Sequence, residues 1–474
     1  MQAVYIYDSK TKQKQLLEPL VGHDVKIYIC GPTVYDHAHL GHARSAIAFD
    51  LLRRTLEQSG YAVEMVKNFT DIDDKIIAKA AQEGVSTSAL SARYMESYTA
   101  DMQALGVQKP HLEPKATTHL EAMFNIIQQL LDKGHAYQIG HDIYLDTHKD
   151  QAYGSLSGHI YNEADVSRLE DNPLKRHPQD FALWKSYKGE SDIGYESPFG
   201  RGRPGWHLEC SSMIFANMAY RDQAYQIDIH AGGSDLFFPH HENEACQTRC
   251  AFSQELAKYW MHNGFVNISG EKMSKSLGNS FYVKDALKIY DGEIVRNYLL
   301  GIHYRAILHF NEEDLLASKK RLDKIYRLKK RALECALQTP PPSPNPNFQR
   351  AFLQALQDDL NISKALSVLE EHVHACNEIL DQATKQTRAS VACAILEDLA
   401  YVNALLGLGG KDPIAYFQLG VDATLLAHIE EQIARRLEAK KAKDFALADR
   451  IREDLAHQGI LLMDTPQQTL WERL

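Results

Sequence analysis

No run of about 18 apolar residues occurs in the 474-residue sequence, so no membrane-spanning helix is expected. A basic leader followed by an apolar core is missing as well. Met1-Gln2-Ala3-Val4-Tyr5-Ile6 reads as a first strand rather than a secretory signal. Cysteine is sparse. The seven, at 30, 210, 246, 250, 335, 376 and 393, are odd in number and lack the spacing of a small disulfide framework. That pattern favours a reducing cytoplasm with thiols free or metal-bound. Basic excess is also absent. The formal net charge is −10, so a nucleic-acid partner would need local basic patches. No internal repeat is visible. What is present is apolar content of 44%, enough at this length for roughly three domains with cores of their own.

The first informative string is His39-Leu40-Gly41-His42. Before it, Lys26 to Ile29 is short, apolar and β-branched, like a buried parallel strand. Cys30-Gly31-Pro32-Thr33 breaks that strand as a turn. From Leu40 to Gln58 the residues Ile47, Leu51, Leu52 and Leu56 recur near helical spacing, and Ser59-Gly60 ends the helix. Ala62 to Val66 reads as the next strand. His39 and His42 thus fall at the N-terminus of the helix in a βαβ unit, where free N–H groups and the helix dipole favour anions such as a triphosphate. Read alone, the pair could equally be a helix cap.

The second string is Lys272-Met273-Ser274-Lys275-Ser276, in a Gly/Ser/Asn-rich segment between Ile268 and Phe281. It reads as a loop whose lysines can reach phosphate oxygens as charge shifts in a transition state. Around these strings the chain divides into an α/β part over 1–120 and an irregular insertion over 121–225. The α/β pattern resumes over 226–310 from the strand Tyr225–Ile229, and a helical part follows over 311–415. Residues 416–474 form a small last segment. In the helical part, Lys319 to Arg331 is a one-signed basic face opposite Leu322, Ile325, Tyr326 and Leu333, and Arg435 to Lys443 is a second basic cluster. Either is a solvated face or an RNA-facing one. Thr339 to Pro346 reads as an extended linker.

Metal-ligating residue types are dispersed. Cys30 lies in the loop of the first string, and Cys210 ends Gly205-Trp206-His207-Leu208-Glu209-Cys210. His240 and Glu244 follow Pro239 at i, i+4, on one face of a helix. Two thiolates, an imidazole and a carboxylate are ordinary Zn²⁺ ligands, but spacing alone does not assemble them. Cys246 and Cys250 are rivals at helical spacing.

Both strings resemble the ATP-handling motifs of class I aminoacyl-tRNA synthetases. Cys30 to Asp36, Asn68 to Lys75, Gly205 to Cys210 and Asp228 to Glu244 complete a resemblance to the cysteinyl-tRNA synthetase family over nearly the whole chain. The resemblance implies a Rossmann-type parallel-sheet catalytic domain, split by the insertion and followed by an α-helical anticodon-binding region. It implies one Zn²⁺ per chain on Cys30, Cys210, His240 and Glu244, which recognises the substrate thiolate. It further implies a cysteine pocket with Thr70, Trp206, His230 and Asp235. His39, His42, Lys272 and Lys275 are implied as the catalytic ATP-binding set, with Mg²⁺ on the phosphates. The implied reaction activates L-cysteine with ATP to the adenylate and transfers it to the 3′ end of tRNA(Cys), in a cytoplasmic monomer without membrane contact. Two departures from the family pattern are Ala231 and Gln468, each where glycine is usual. Two rival readings exist. A cysteine ligase for an amino-sugar acceptor would lack the region from about 345 to 474. A non-catalytic RNA-binding or zinc-sensing paralogue would not need intact ATP strings.

Overall fold

The computed structural model describes residues 2–158, 174–189, 192–268, 271–272, 281–335, 345–464 and 468–473. Its centre is a four-stranded parallel sheet. In chain order the strands are β1 (Asp24–Ile29), β2 (Ala62–Lys67), β3 (Tyr225–Gly233) and β4 (Glu255–Asn263), and in space they run β4-β3-β1-β2. Ile27 of β1 faces Met65 on one side and Ile229 on the other. The central strand β1 is apolar through its length because both faces are covered, and Val25, Ile27, Tyr28 and Ile29 are all buried. The helix α1 (Leu40–Gln58) connects β1 to β2, and Ile47, Leu51, Leu52 and Leu56 are buried on it as their spacing predicts. The sheet order reverses between β1 and β3. Such a switch point opens a crevice beyond the carboxyl ends of the strands.

One core joins the sheet to three helices. Tyr28, Val66, Ile227 and Trp260 pack with Met123 and Ile127 from Leu120–Asp132, Met213 and Ile214 from Trp206–Asn217, and Ala245 from Glu242–Phe252. The insertion carries its own antiparallel sheet, Ala136–Ile139, Asp142–Leu145, Phe181–Ser186 and Gly202–Pro204. Its Trp184 is fully buried and meets the Phe124 ring edge-on at 5.3 Å. The N-terminal strand expected over Met1–Ile6 is Tyr5–Asp8. It joins no parallel sheet but forms a hairpin with Gln13–Leu16.

The contact pattern divides the chain into two units. One comprises 1–285, 299–312 and 351–366, and the other 286–298, 313–350 and 367–474. The helical unit therefore takes in Ala286–Tyr298, which the sequence reading placed in the α/β part. Thr339 to Pro344 of the expected linker lie outside the described residues, and its last residue, Pro346, instead opens the helix Pro346–Leu356. The helix Arg388–Leu406 is long and apolar enough to cross a membrane by length and composition. Its buried Asp398 takes the His372 imidazole at 3.0 Å, and Ile395, Leu399, Val402 and Leu405 are buried within the unit, as in a core helix. Residues 423–473 build a smaller core from Ile429, Ile451, Leu455, Ile460, Leu462 and Trp471.

Much of the basic face is spent inside this unit. Arg321 pairs with Glu370, Lys330 with Glu472 and Arg331 with Asp381, while Lys329 donates to the carbonyls of Gly409 and Lys411. In the second cluster, Arg436 and Lys440 both grip Asp464. These cations tie elements of the unit together.

A stability prediction arises in the α/β unit. Asp101, on Thr87–Ala104, is 6% exposed. Burial pushes its carboxyl up to about 6, with Lys284 opposing and Asp285 adding to the rise. The folded state then holds a proton that the unfolded chain releases near pH 4. The stability is complete below that pH and is lost as pH rises through 6. Asp101→Asn should stabilise the chain by about 1–2 kcal/mol at pH 8, after allowance for solvent screening, and by nothing at pH 4. Thermal midpoints at the two pH values check this. An equal gain at both would mean that the effect is not titration.

Candidate functional site

A cavity of about 670 Å³ opens at the carboxyl ends of the strands, beyond the switch point. Each of the four strands leads into a segment that lines it: Cys30–Thr33 after β1, Thr70 after β2, Gly233–Leu236 at the end of β3 and Gly264–Val266 after β4. The turn after β1 needs glycine. A Cβ on Gly31 would sit 1.5 Å from the Asn68 carbonyl oxygen, while the Gly31 N–H donates to Asn68 Oδ1 at 2.7 Å.

At one end of the cavity stands a cluster of four donors. Cys30 Sγ lies 3.7 Å from Cys210 Sγ and 3.6 Å from Glu244 Oε1, and His240 Nε2 lies 2.9 Å from the same oxygen. Ligand atoms of all four are within 4.8 Å of one another. Cys210 comes from the first turns of Trp206–Asn217. His240 and Glu244 come from the turn Phe237–His241 and the helix Glu242–Phe252, at the i, i+4 separation read from the sequence. A second grouping, Cys30, His230, His241 and Glu244, shares two of these residues, with His241 Nε2 3.3 Å from Cys30 Sγ.

The electrostatics of the first four suit a cation. The hydrogen bond from Cys30, aided by His240, holds the Cys210 thiol down at about 6, while burial pushes the Cys30 thiol up. Against their burial, His230 and His240 hold the Glu244 carboxyl well below its usual range. Also against burial, Glu244 and then Cys210 push the His240 imidazole up to about 10. Two buried anionic donors are thus balanced by one proton on His240. A divalent cation supplies that balance with bonds to all four atoms, and two sulfurs, a nitrogen and an oxygen are a Zn²⁺ donor set.

Outer partners orient the cluster, and sequence reasoning assigned none of them a role. His207 Nδ1 meets His240 Nδ1 at 2.9 Å, and burial and His240 hold His207 neutral. Gln247 donates to the His207 carbonyl at 2.7 Å. His241 is bonded to His262 at 2.8 Å, and His262 to the Ser9 hydroxyl. The sequence signals for them are the His-rich turn and the Gly205–Cys210 string that holds His207.

Of the expected cysteine-pocket residues, Thr70, Trp206 and Asp235 line the cavity. The Thr70 hydroxyl donates to Glu209 at 2.9 Å, and Trp206 stacks on His240 with ring centroids 4.0 Å apart. His230 does not line the cavity. It is fully buried behind the cluster, bonded through Nε2 to Glu244 Oε2 at 2.9 Å and stacked on Trp260. Ala231 is buried in the sheet and is not a lining residue, and its carbonyl accepts the N–H of Cys30, which is one. Gln468 is exposed just before the strand Thr469–Arg473.

His39 and His42 line the same cavity. His39 is the N-cap of α1. Its ring accepts from the His42 N–H, the His42 ring accepts from the His39 N–H, both at 3.3 Å, and the rings stack 3.8 Å apart. A Cβ at Gly41 would meet the His39 ring at 2.9 Å, so the glycine between the histidines lets this cap close. Lys67 and Lys75 add positive charge to the cavity wall. Lys272 lies on a short strand paired with Val266–Ile268, opposite Asn267. Lys275 lies outside the described residues. Beyond it the chain returns to α1, where Leu40 N–H donates to the Phe281 carbonyl and Val283 N–H to that of Ala38.

Residues 16–320 match the family model described as tRNA synthetases class I (C) catalytic domain, and residues 351–408 match the DALR domain. The chain is 62% identical to the cysteine–tRNA ligase of Helicobacter pylori (strain P12) over 472 residues, 99% of this chain and 100% of that protein. It is 58% identical over 471 residues to the cysteine–tRNA ligase of Wolinella succinogenes, 99% of each chain. Among solved structures, Mycobacterium tuberculosis methionyl-tRNA synthetase in complex with methionyl-adenylate is similar, with a TM-score of 0.61 over 81% of this chain and 92% of that one. At 16% identity that likeness is one of fold alone.

Proposed function

Because the chain belongs to the cysteinyl-tRNA synthetases of class I, enzymes that attach cysteine to tRNA, we propose how its residues divide that work. Cys30, Cys210, His240 and Glu244 hold one Zn²⁺. When bound, that ion supplies a soft Lewis acid that takes a thiolate in preference to a hydroxyl. The observation that carries this reading is the closeness of the four donors, two of them anionic, at the end of the cavity. Trp206 covers the His240 side, Thr70 is oriented by Glu209, and Asp235 faces the cavity as a carboxylate able to hold an ammonium group. His230 acts from behind, by fixing Glu244.

ATP, with its Mg²⁺, lies along the α1 end of the cavity. There His39 and His42 contact the triphosphate and the helix N-terminus favours its charge. The cysteine carboxylate attacks the α-phosphate, the bond to the β-phosphate oxygen breaks, and pyrophosphate leaves. A ribose hydroxyl of the tRNA 3′ end then displaces AMP from the adenylate. No side chain acts as nucleophile. Positioning and charge stabilisation by His39, His42, Lys272 and Lys275 carry the rate. All seven cysteines are free, which suits the reducing cytoplasm we propose for it, as a monomer. The match over the full length of the relatives, DALR domain included, disfavours the amino-sugar ligase reading.

Serine tests the metal's role. Shape separates near-isosteres poorly, by about 10²-fold at best. Cysteine-dependent ATP–pyrophosphate exchange should exceed the serine-dependent reaction in kcat/KM by well over that factor, and the purified enzyme should charge tRNA(Cys) with cysteine. A serine rate within about 100-fold of the cysteine rate would mean that the cluster is purely structural.

A further inference from the structure

Two turns at one end of the insertion's antiparallel sheet carry a second group of metal-ligating side chains. Leu145 and Phe181 face each other in register on adjacent strands. Asp146 and His148 follow the first strand, and His177 precedes the second. Ligand atoms of Asp146, His148 and His177 lie within 4.8 Å of one another, and the two imidazole ring centroids are 3.4 Å apart at 44°. Asp146 is 4% exposed. Its Oδ2 accepts from Arg176 Nη1 at 3.2 Å, but its buried Oδ1 has no hydrogen-bond partner among the described residues. A buried carboxylate oxygen without a donor is costly unless something positive meets it.

The turns are held in place independently of these three residues. Asp180, 1% exposed, accepts from the Thr147 N–H and hydroxyl on one turn, from the His177 N–H on the other and from the Tyr137 hydroxyl. Such outer bonding is what keeps a ligand set oriented.

We propose that Asp146 Oδ1, His148 and His177 form a second metal site, for a divalent ion of the Zn²⁺ type, separate from the thiolate cluster. Two imidazoles and one carboxylate select Zn²⁺, Ni²⁺ or Co²⁺ over Mg²⁺ and Ca²⁺, which prefer all-oxygen sites. Bonds of about 2.0–2.2 Å bring the three ligands to one centre through rotation of the exposed His148, and water completes the shell. Arg176 stays on Oδ2, where its guanidinium also lies over the Tyr137 ring. The ion binds the folded turns and so stabilises them by mass action. Site occupancy, unlike the tight ion of the thiolate cluster, depends on free metal.

The test is a calorimetric Zn²⁺ titration of the full chain, dialysed so that it keeps its tightly bound zinc. One further Zn²⁺ per chain is expected, with micromolar affinity. His148→Ala, at an exposed position, and His177→Ala should each weaken it at least tenfold and leave cysteine-dependent ATP–pyrophosphate exchange unchanged. Absence of a further ion overturns the proposal. So does a further ion that binds equally to the His148→Ala chain, above all one lost in Cys246→Ser, which would move it to the group of Asp150, Cys246 and Cys250.

Discussion

Cys210→Ser should remove the proposed zinc and cysteine-dependent ATP–pyrophosphate exchange together, with the chain still folded. The sulfur lost is the one the neighbouring Cys30 and His240 hold as a thiolate near neutral pH. A serine hydroxyl at that place stays protonated and is a poor ligand. Loss of an outer partner of a metal ligand costs about 10–100-fold in affinity, and loss of a ligand costs more. The metal affinity of Cys210→Ser should therefore fall by over 100-fold, while His207→Ala, which frees only the far side of the His240 ring, stays within that outer range. Metal analysis of the dialysed variants, beside their exchange rates, checks both. Full zinc content in Cys210→Ser, or a loss seen only in Cys246→Ser, would move the ion to another cluster. Retained exchange without zinc would separate the ion from the reaction.

The sequence reveals such a site unevenly, and the reasons are physical. The unit β1–α1–β2 is legible because its periods are local: an apolar β-branched run, a Gly-Pro turn, a 3.6-residue stripe and a terminal Ser-Gly. The order β4-β3-β1-β2 is not, since nothing in β1 records that β3, some two hundred residues later, will lie beside it. The same distance hides the candidate metal ligands. Cys30 and Cys210 meet only because β1 and the helix Trp206–Asn217 share one core, and family resemblance, not spacing, pairs them. His230 adds a contact that spacing does not show: it is fully buried, and its Nε2 meets Glu244 Oε2 at 2.9 Å. Charge runs hide their partners for a similar reason. Lys329, Lys330 and Arg331 read as one basic surface, but their partners come from residues 377–472, far along the chain.

His39 separates two readings that the sequence left open, and one substitution tells them apart. The residue caps α1, and it also lines the cavity where the triphosphate is proposed to lie. His39→Ala loses both roles and so decides nothing by itself. His39→Asn is the informative variant, because asparagine is among the best N-caps and can accept the His42 N–H as the imidazole does. Its thermal midpoint should match that of the unaltered chain, whereas His39→Ala should lose about 1 kcal/mol of helix stability. Both variants should lose about 10²–10³-fold in the rate of adenylate formation, the size expected when one preorganised donor to a developing charge is removed. The KM for cysteine should stay nearly constant, since the cluster proposed to receive the thiol is untouched. If His39→Asn forms adenylate at the full rate while His39→Ala is slow, the residue is a helix cap and its ring makes no phosphate contact. The positive end of α1, with Lys67 and Lys75 on the cavity wall, would then have to hold the triphosphate.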